Sequence, residues 1–342
     1  MKALLIGGTG TISSAVTALA QERGWDITLL NRGTKPAPAG MRSIAADIHD
    51  EAAVAALLAD ETYDVTAQFI AYGAEDVKRD IRLFKGRTRQ YIFISSASAY
   101  QKPVAGYPIT ESTPLVNPYW EYSRRKIEAE DALMEAYRRD GFPVTIVRPS
   151  HTYDGTKPPV ALHGTQGNWQ VIKRILDGKP TIIPGDGTSL WTLTHSRDFA
   201  RGYVGLMGNP HAIGNAYHIT SDESMTWNQI YETIAEALGK PLRPLHVASD
   251  FLAAHGKEYD FAGQMLGDKA CTVIFDNTKI KRAAPDFVCR ISMAEGLQTS
   301  VRYMLDHPEC QTPDPEFDLW CDRIAGAWKA ADEAFEAGGG PA

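Results

Sequence analysis

Residues 2–13 read KALLIGGTGTIS, a six-residue apolar run that breaks into glycines and then into a segment with helical spacing, SAVTALAQERG, at 14–24. That segment stops at Gly24, a C-cap signal. Strand, glycine turn and helix in this order are one half of a βαβ unit, and the stretch decides the fold because the same alternation continues downstream. DITLLN (26–31), RSIAAD (42–47), DVTAQFI (64–70), QYIFISS (90–96) and PVTIVRP (143–149) are further apolar runs. Helical patterns separate them: EAAVAALLAD (51–60), AEDVKRDIRLFKG (74–86) and a helix from about Tyr119 to Asp140. Short buried strands alternating with helices give a parallel, doubly wound sheet with ligands at the carboxyl ends of its strands.

The pattern changes after Arg148. Residues 151–168 carry three glycines and two prolines and read as loop; short strands and helices follow, with AYHIT among the strands. The expected division is a dinucleotide-binding Rossmann domain over 1–150 and a smaller α+β substrate-binding lobe over 151–342. A polar helix from about Pro313 should run into the frayed GGGPA end.

The chain has 342 residues, 44% hydrophobic and 23% charged, enough to bury a sizeable core. A formal net charge of −7 gives no basic surplus for nucleic acid. No stretch approaches the ~18 apolar residues of a membrane-spanning helix. The four cysteines, Cys271, Cys289, Cys310 and Cys321, form no CxxC pair, so no metal site is expected and they read as reduced thiols of a cytoplasmic protein.

Gly7 and Gly10 leave room for a pyrophosphate at the helix N-terminus, whose free N–H groups and positive dipole end favour an anion. Thr11 and Ser13 can add hydroxyl donors. The second strand ends at Asn31 and Arg32, where an NAD site usually has an Asp or Glu for the ribose 2′-OH; a neutral residue followed by a cation favours NADP over NAD. Asp47, ending the third strand, is an adenine contact or the N-cap of the helix after it. The expected cofactor contacts are Gly7, Gly10, Thr11, Ile12, Asn31, Arg32 and Asp47, with Tyr122 and Lys126 at the nicotinamide end.

YxxxK occurs twice. Tyr153 to Lys157 contains Gly155 and precedes Pro158, so it is not helical and its side chains need not share a face. Tyr122 to Lys126 opens YSRRKIEAEDALMEAY, a good helix in which i and i+4 lie side by side. A tyrosine with a pKa near ~10 is a poor acid–base group at neutral pH, and a neighbouring ammonium favours its phenolate. A serine at the strand end in QYIFISSASAY (Ser95, Ser96 or Ser98) can then hydrogen-bond a substrate oxygen.

Together the stretches GGTGTIS, ADI at Asp47, FISSASAY, ITESTP, NPYWEYSRRK, VRPSHTYDG and GDGTSLWTLTHSRDFA resemble the short-chain dehydrogenase/reductase superfamily, in its extended epimerase/dehydratase branch. The resemblance implies Ser96, Tyr122 and Lys126 as the catalytic set and NAD(P) as cofactor. It departs from the family at several points. Ser13 stands at the third glycine, and Ala97–Ser98 at the Asp–Glu pair of 4,6-dehydratases. His151 stands at an Asn that contacts substrate phosphate, and Trp191 at an arginine that clamps a nucleotide diphosphate. Ser98, His151 and Trp191 are therefore the expected substrate contacts, Trp191 offering its flat face to a sugar or serving as a core residue. The expected activity is an oxidoreductase or epimerase acting on a carbohydrate-like alcohol or ketone, seated between the sheet's carboxyl edge and the lobe after residue 150. The alternatives are an ordinary nucleotide-sugar 4-epimerase and a non-catalytic relative that senses dinucleotides or binds RNA. No membrane or nucleic-acid partner is expected, and a homodimer is compatible with this reading.

Overall fold

The structure, a computed structural model, describes residues 1–33 and 38–338. In chain order the first half forms β1 (Lys2–Ile6), α1 (Thr11–Glu22), β2 (Asp26–Asn31), β3 (Arg42–Ala45), α2 (Glu51–Leu57), β4 (Val65–Gln68), α3 (Ala74–Phe84), β5 (Tyr91–Ile94), α4 (Glu121–Asp140), β6 (Val144–Pro149) and β7 (His151–Tyr153). The second half adds α5 (Trp169–Leu176), β8 (Thr181–Pro184), β9 (Leu190–Trp191), β10 (Leu193–His195), α6 (Ser196–Leu206), β11 (Asn215–Ile219), β12 (Met225–Thr226), α7 (Trp227–Leu238), β13 (Pro244–Val247) and α8 (Ser249–His255). A π-helical turn at Ala262–Lys269 precedes α9 (Thr278–Ala283), α10 (Met293–Asp306) and α11 (Pro315–Gly338). The final four residues, 339–342, lie outside the described residues, so the expected frayed end does too.

Seven strands make one parallel sheet in the order β11-β6-β5-β4-β1-β2-β3. Both of its faces are buried, as an apolar run without alternation requires. Along β1, Ala3 and Leu5 pack with Val16, Ala20 and Phe199 from α1 and α6, whereas Leu4 and Ile6 pack with Val54, Val77 and Leu133 from α2, α3 and α4. Local signals set the boundaries. Gly24 (φ 78°) follows α1, and α4 ends at Gly141 in the left-handed region (φ 67°), whose N–H closes onto the Tyr137 carbonyl.

The chain divides into two compact units, but not at residue 150. The first comprises Met1–Asp154, Thr192–Ser224 and Val273–Ser292; the second comprises Gly155–Trp191, Met225–Thr272 and Met293–Ala342. AYHIT, assigned to the lobe from sequence, is instead β11, the edge strand that pairs with β6 in the main sheet. The physical reason is an interrupted crossover: β6, α6 and β11 form a βαβ unit with residues 155–191 inserted before its helix. His151–Tyr153, read as loop, forms the short strand β7 against β10.

The second unit is α+β. β8 pairs with β13 in parallel, and β9 with β12 antiparallel. Thr226 caps α7 by accepting from the Gln229 N–H while Gln229 returns to the Thr226 N–H, a capping box, and Gly239 (φ 63°) ends the helix. An aromatic group of Tyr259, Phe261, Phe317 and Trp320 fixes the start of α11. None of the four cysteines is in a disulfide. Among the described residues, no helix is long and apolar enough to cross a membrane.

Candidate active site

The glycine loop joins β1 to α1. Gly7 sits at φ 83°, where L side chains are strained, and a Cβ there would lie 2.4 Å from Ile70 Cγ2. A Cβ on Gly8 would lie 2.7 Å from Leu29 Cδ2. Gly10 precedes the first turn of α1, whose leading N–H groups have no intrahelical acceptor. Ser13, where the family pattern has a third glycine, is buried. Its hydroxyl accepts from the Gly10 N–H (2.8 Å) and donates to the Gly7 carbonyl (2.8 Å). That corrects the expectation that Ser13 reaches a ligand: its side chain stitches the loop. Thr11 is exposed and Ile12 half-buried.

At the ends of β2 and β3, Asn31 accepts from the Gly33 N–H through Oδ1 (2.9 Å), while its Nδ2 is buried and has no hydrogen-bond partner among the described residues. Arg32 is exposed. The exposed Asp47 accepts from the His49 N–H at 3.0 Å. It is not the cap of α2: that helix starts at Glu51, and Asp50 caps it by accepting from the Ala53 N–H. A turn that needs glycine at Gly7, a helix N-terminus and an amide donor at the β2 end without a partner among the described residues are features a dinucleotide would use, so the residues present fit that cofactor.

Of the three candidate catalytic residues, Tyr122 and Lys126 are neighbours at the carboxyl ends of β4 and β5, and Ser96 is linked to their helix through Ser98 and Ser123. Ser96 follows β5, and Tyr122 and Lys126 lie in the first two turns of α4. Lys126 is buried. Its Nζ donates to the Ala71 carbonyl (2.7 Å) and the Ile94 carbonyl (2.8 Å), and stands 4.8, 4.9 and 5.7 Å from the ring centroids of Tyr72, Phe93 and Tyr122. Burial pulls its pKa down to about 7, against the opposing charges of Glu130 and Asp76. Tyr122 is half-buried, its ring 4.8 Å from Trp120 and 6.4 Å from Tyr72. The Ser96 Oγ is 2.8 Å from Ser98 Oγ and accepts from the Ser98 N–H at 3.1 Å.

Several residues around this set carried no clear sequence signal. Ser123 donates to Ser98 Oγ (2.7 Å), tying α4 to the β5 end. Buried Asn117 donates to the Ser98 carbonyl (2.8 Å) and accepts from the Tyr119 and Trp120 N–H groups, holding the turn into α4. Glu130 and Arg148 form a buried ion pair with Arg148 Nε 2.9 Å from Glu130 Oε1, and Ser95 donates to the same carboxylate. Burial disfavours the Arg148 cation, but the charge and hydrogen bonds of Glu130 outweigh it and raise its pKa. Arg148 continues to the Tyr100 hydroxyl (3.2 Å), which is 3.1 Å from His218 Nδ1. Burial raises the Tyr100 phenol and lowers the His218 imidazole, so both are neutral near pH 7. Asn before Pro in NPYWEY and Glu eight residues after Tyr122 were the only available signals.

Two expected substrate contacts are corrected. The Ser98 side chain is buried between Ser96 and Ser123, so its hydroxyl is spent within the protein. Trp191 is 2% exposed and stacks on Trp227 inside the second unit, so it offers no open face. Its side chain fills space because β9 and β12 bring it over α7. His151 lies half-buried on β7. Tyr153 belongs to that strand and Lys157 to an exposed coil, so the second YxxxK forms no helical pair.

Residues 3–220 match the model of the NAD dependent epimerase/dehydratase family. The chain belongs to that family and is an enzyme of the short-chain dehydrogenase/reductase type. It is 25% identical to the 2′-dehydrokanamycin reductase of Streptomyces kanamyceticus over 84% of this chain and 80% of the relative. It is 32% identical to a UDP-glucose 4-epimerase of Lactobacillus helveticus over 59% of this chain and 68% of the relative. Among solved structures, the UDP-glucuronic acid 4-epimerase of Bacillus cereus, in complex with UDP-glucuronic acid and NAD, superposes with a TM-score of 0.69 at 20% identity, over 90% of this chain and 99% of that one, a likeness of fold.

Proposed function

We propose that this chain is an NAD(P)-dependent oxidoreductase that interconverts a secondary alcohol and a ketone on a sugar-like ring through Ser96, Tyr122 and Lys126. The observation that carries the reading is the seat of Lys126: an ammonium held by the Ala71 and Ile94 carbonyls, under the Tyr122 ring, at the carboxyl ends of two central strands. Bound at the glycine loop, the dinucleotide supplies the hydride acceptor or donor. In the reducing direction, Tyr122 gives its phenolic proton to the substrate oxygen as hydride reaches the adjacent carbon. Lys126 favours the resulting phenolate by its charge. Ser96 donates to the same oxygen and holds the carbonyl in line.

The substrate we favour carries no nucleotide diphosphate. Two charge-assisted phosphate contacts of the family pattern are replaced, one by His151 and one by the buried Trp191, and a diphosphate in a partly buried cleft needs such donors. The similarity to a 2′-dehydrokanamycin reductase supports the same direction. The competing reading, a nucleotide-sugar 4-epimerase, is favoured by the likeness to the Lactobacillus helveticus enzyme. The deciding experiment pairs a titration with UDP and UDP-glucose against NAD(P)H oxidation with keto-sugars and keto-glycosides. Micromolar nucleotide binding without keto-sugar turnover returns the chain to the epimerases. For the cofactor we favour NADP over NAD on Asn31 and Arg32: Asn31 is neutral, so it lacks the charge with which a carboxylate holds a 2′-OH, and Arg32 supplies a cation for a 2′-phosphate.

A further inference from the structure

We infer that Ser123 and Ser98 are positioning residues that turn Ser96 into a hydroxyl able only to donate towards the substrate. The inference rests on the proposed role of Ser96. It starts from three oxygens in a row. Ser123 Oγ is fully buried and donates to Ser98 Oγ at 2.7 Å; Ser98 Oγ is 2.8 Å from Ser96 Oγ. Each hydroxyl has one proton and two lone pairs.

Because Ser98 Oγ already receives the Ser123 proton, its own proton needs an acceptor, and the one at hydrogen-bond distance among the described residues is Ser96 Oγ. Ser96 Oγ also receives the Ser98 N–H at 3.1 Å. Both Ser96 lone pairs are then occupied from the protein side. Its proton has no acceptor among the described residues and is left for a ligand oxygen.

The alternative order, with Ser96 donating to Ser98, would give Ser98 Oγ two incoming protons and leave its own buried proton without an acceptor. A buried donor left unmade is costly, so the first order wins. Hydrogen bonds running in one direction also polarise one another, which strengthens the terminal donor. The backbone is anchored from behind: Asn117 holds the Ser98 carbonyl at 2.8 Å and so fixes the short turn that carries the Ser98 hydroxyl.

The arrangement selects for an oxygen that accepts. A ketone or an alkoxide accepts from both Ser96 and Tyr122. An alcohol must present a lone pair to Ser96 and send its proton to the phenolate of Tyr122. Ser96 therefore favours binding of the carbonyl form and stabilises charge that develops on its oxygen. That is oxyanion-type assistance, made without reorientation at the moment of reaction.

Two measurements test this. Neutron diffraction on deuterium-exchanged crystals of the full chain reads proton positions without any substrate. The expected map places deuterium on Ser123 Oγ towards Ser98 and on Ser98 Oγ towards Ser96; a Ser96 deuteron aimed at Ser98 overturns the proposal. The second measurement uses turnover of a keto-sugar that the NAD(P)H-oxidation assay identifies as a substrate. Ser98→Ala and Ser123→Ala should lower kcat by about 3- to 10-fold, the scale of one net hydrogen bond, with KM for the dinucleotide unchanged. Ser98→Thr, which restores the hydroxyl, should recover most of the loss. In a Ser96→Ala background the Ser98→Ala loss should vanish, because the relay has nothing left to orient. An equal loss in both backgrounds marks a packing effect and refutes the relay. Should no keto-sugar turn over in the wild type, the substrate reading falls while the neutron map still decides the proton order.

Discussion

Trp191 stacks on Trp227 with ring centroids 5.2 Å apart and planes inclined by 27°. A ring so covered contributes to stability. Trp191→Ala should cost about 3–5 kcal/mol, the usual range for emptying a buried aromatic site. Urea unfolding and the KM for the sugar, measured on the same preparation, separate the roles. Unchanged stability with a raised KM would put the ring back at the substrate.

Tyr122→Phe removes one oxygen and keeps the ring that packs on Trp120. Dinucleotide affinity should stay within about twofold, and turnover should fall by ~10²-fold or more, the scale of general acid–base catalysis. Stopped-flow cofactor binding and steady-state rates check both halves, and a rate within threefold of wild type removes Tyr122 from the chemistry.

Lys126 makes the stability of the cofactor-free enzyme depend on pH. Burial lowers its pKa from 10.5 to about 7, so between those values the unfolded chain binds the proton and the folded chain does not. Stability therefore rises with pH across that window as the cost of the buried charge is relieved. The difference in melting temperature between wild type and Lys126→Met should shift in favour of wild type from pH 7 to pH 10. A flat difference means that the ammonium is not desolvated.

The exposed Arg32 decides the cofactor test. Arg32→Ala should lose NADP affinity by about tenfold and leave NAD affinity nearly untouched, as expected for a cation that meets a 2′-phosphate. Dissociation constants for both dinucleotides settle it; equal or tighter NAD binding by the native chain defeats the preference.

Glu130→Gln strands the Arg148 guanidinium in a buried site. Breaking one partner of such a pair costs about 3–5 kcal/mol. The loss should show in chemical denaturation at neutral pH, and the double variant Glu130→Gln/Arg148→Met should recover part of it.

The main sheet was legible because each of its first six strands is a short apolar run followed by a turn or helix signal. The pairing of Tyr122 with Lys126 was legible for a similar reason: i and i+4 on α4 is a local relation. What escaped was non-local. AYHIT has the composition of any strand, and only pairing with Val144–Pro149 makes it the sheet's edge. Trp191 stood at a position with a functional precedent, and no local pattern tells a ring facing a ligand from one facing Trp227. The Ser123–Ser98 bond joins residues 25 apart through a turn whose shape Asn117 sets, and serines are too common for that to be read from spacing.

The seventh strand carries a consequence for biosynthesis. A ribosome that has released residues 1–150 has released six strands of the sheet, and β6 then ends it with open amide and carbonyl groups along a segment that is buried in the finished protein. Its partner arrives only with Asn215–Ile219, after the whole of Gly155–Trp191 has emerged. During that interval the nascent chain presents an unpaired apolar margin, the kind of template on which strands of neighbouring chains add. A gene fragment cut at residue 150 freezes the molecule in that state, so expression should yield aggregates, whereas a boundary placed after Ser292 restores the strand that closes the edge.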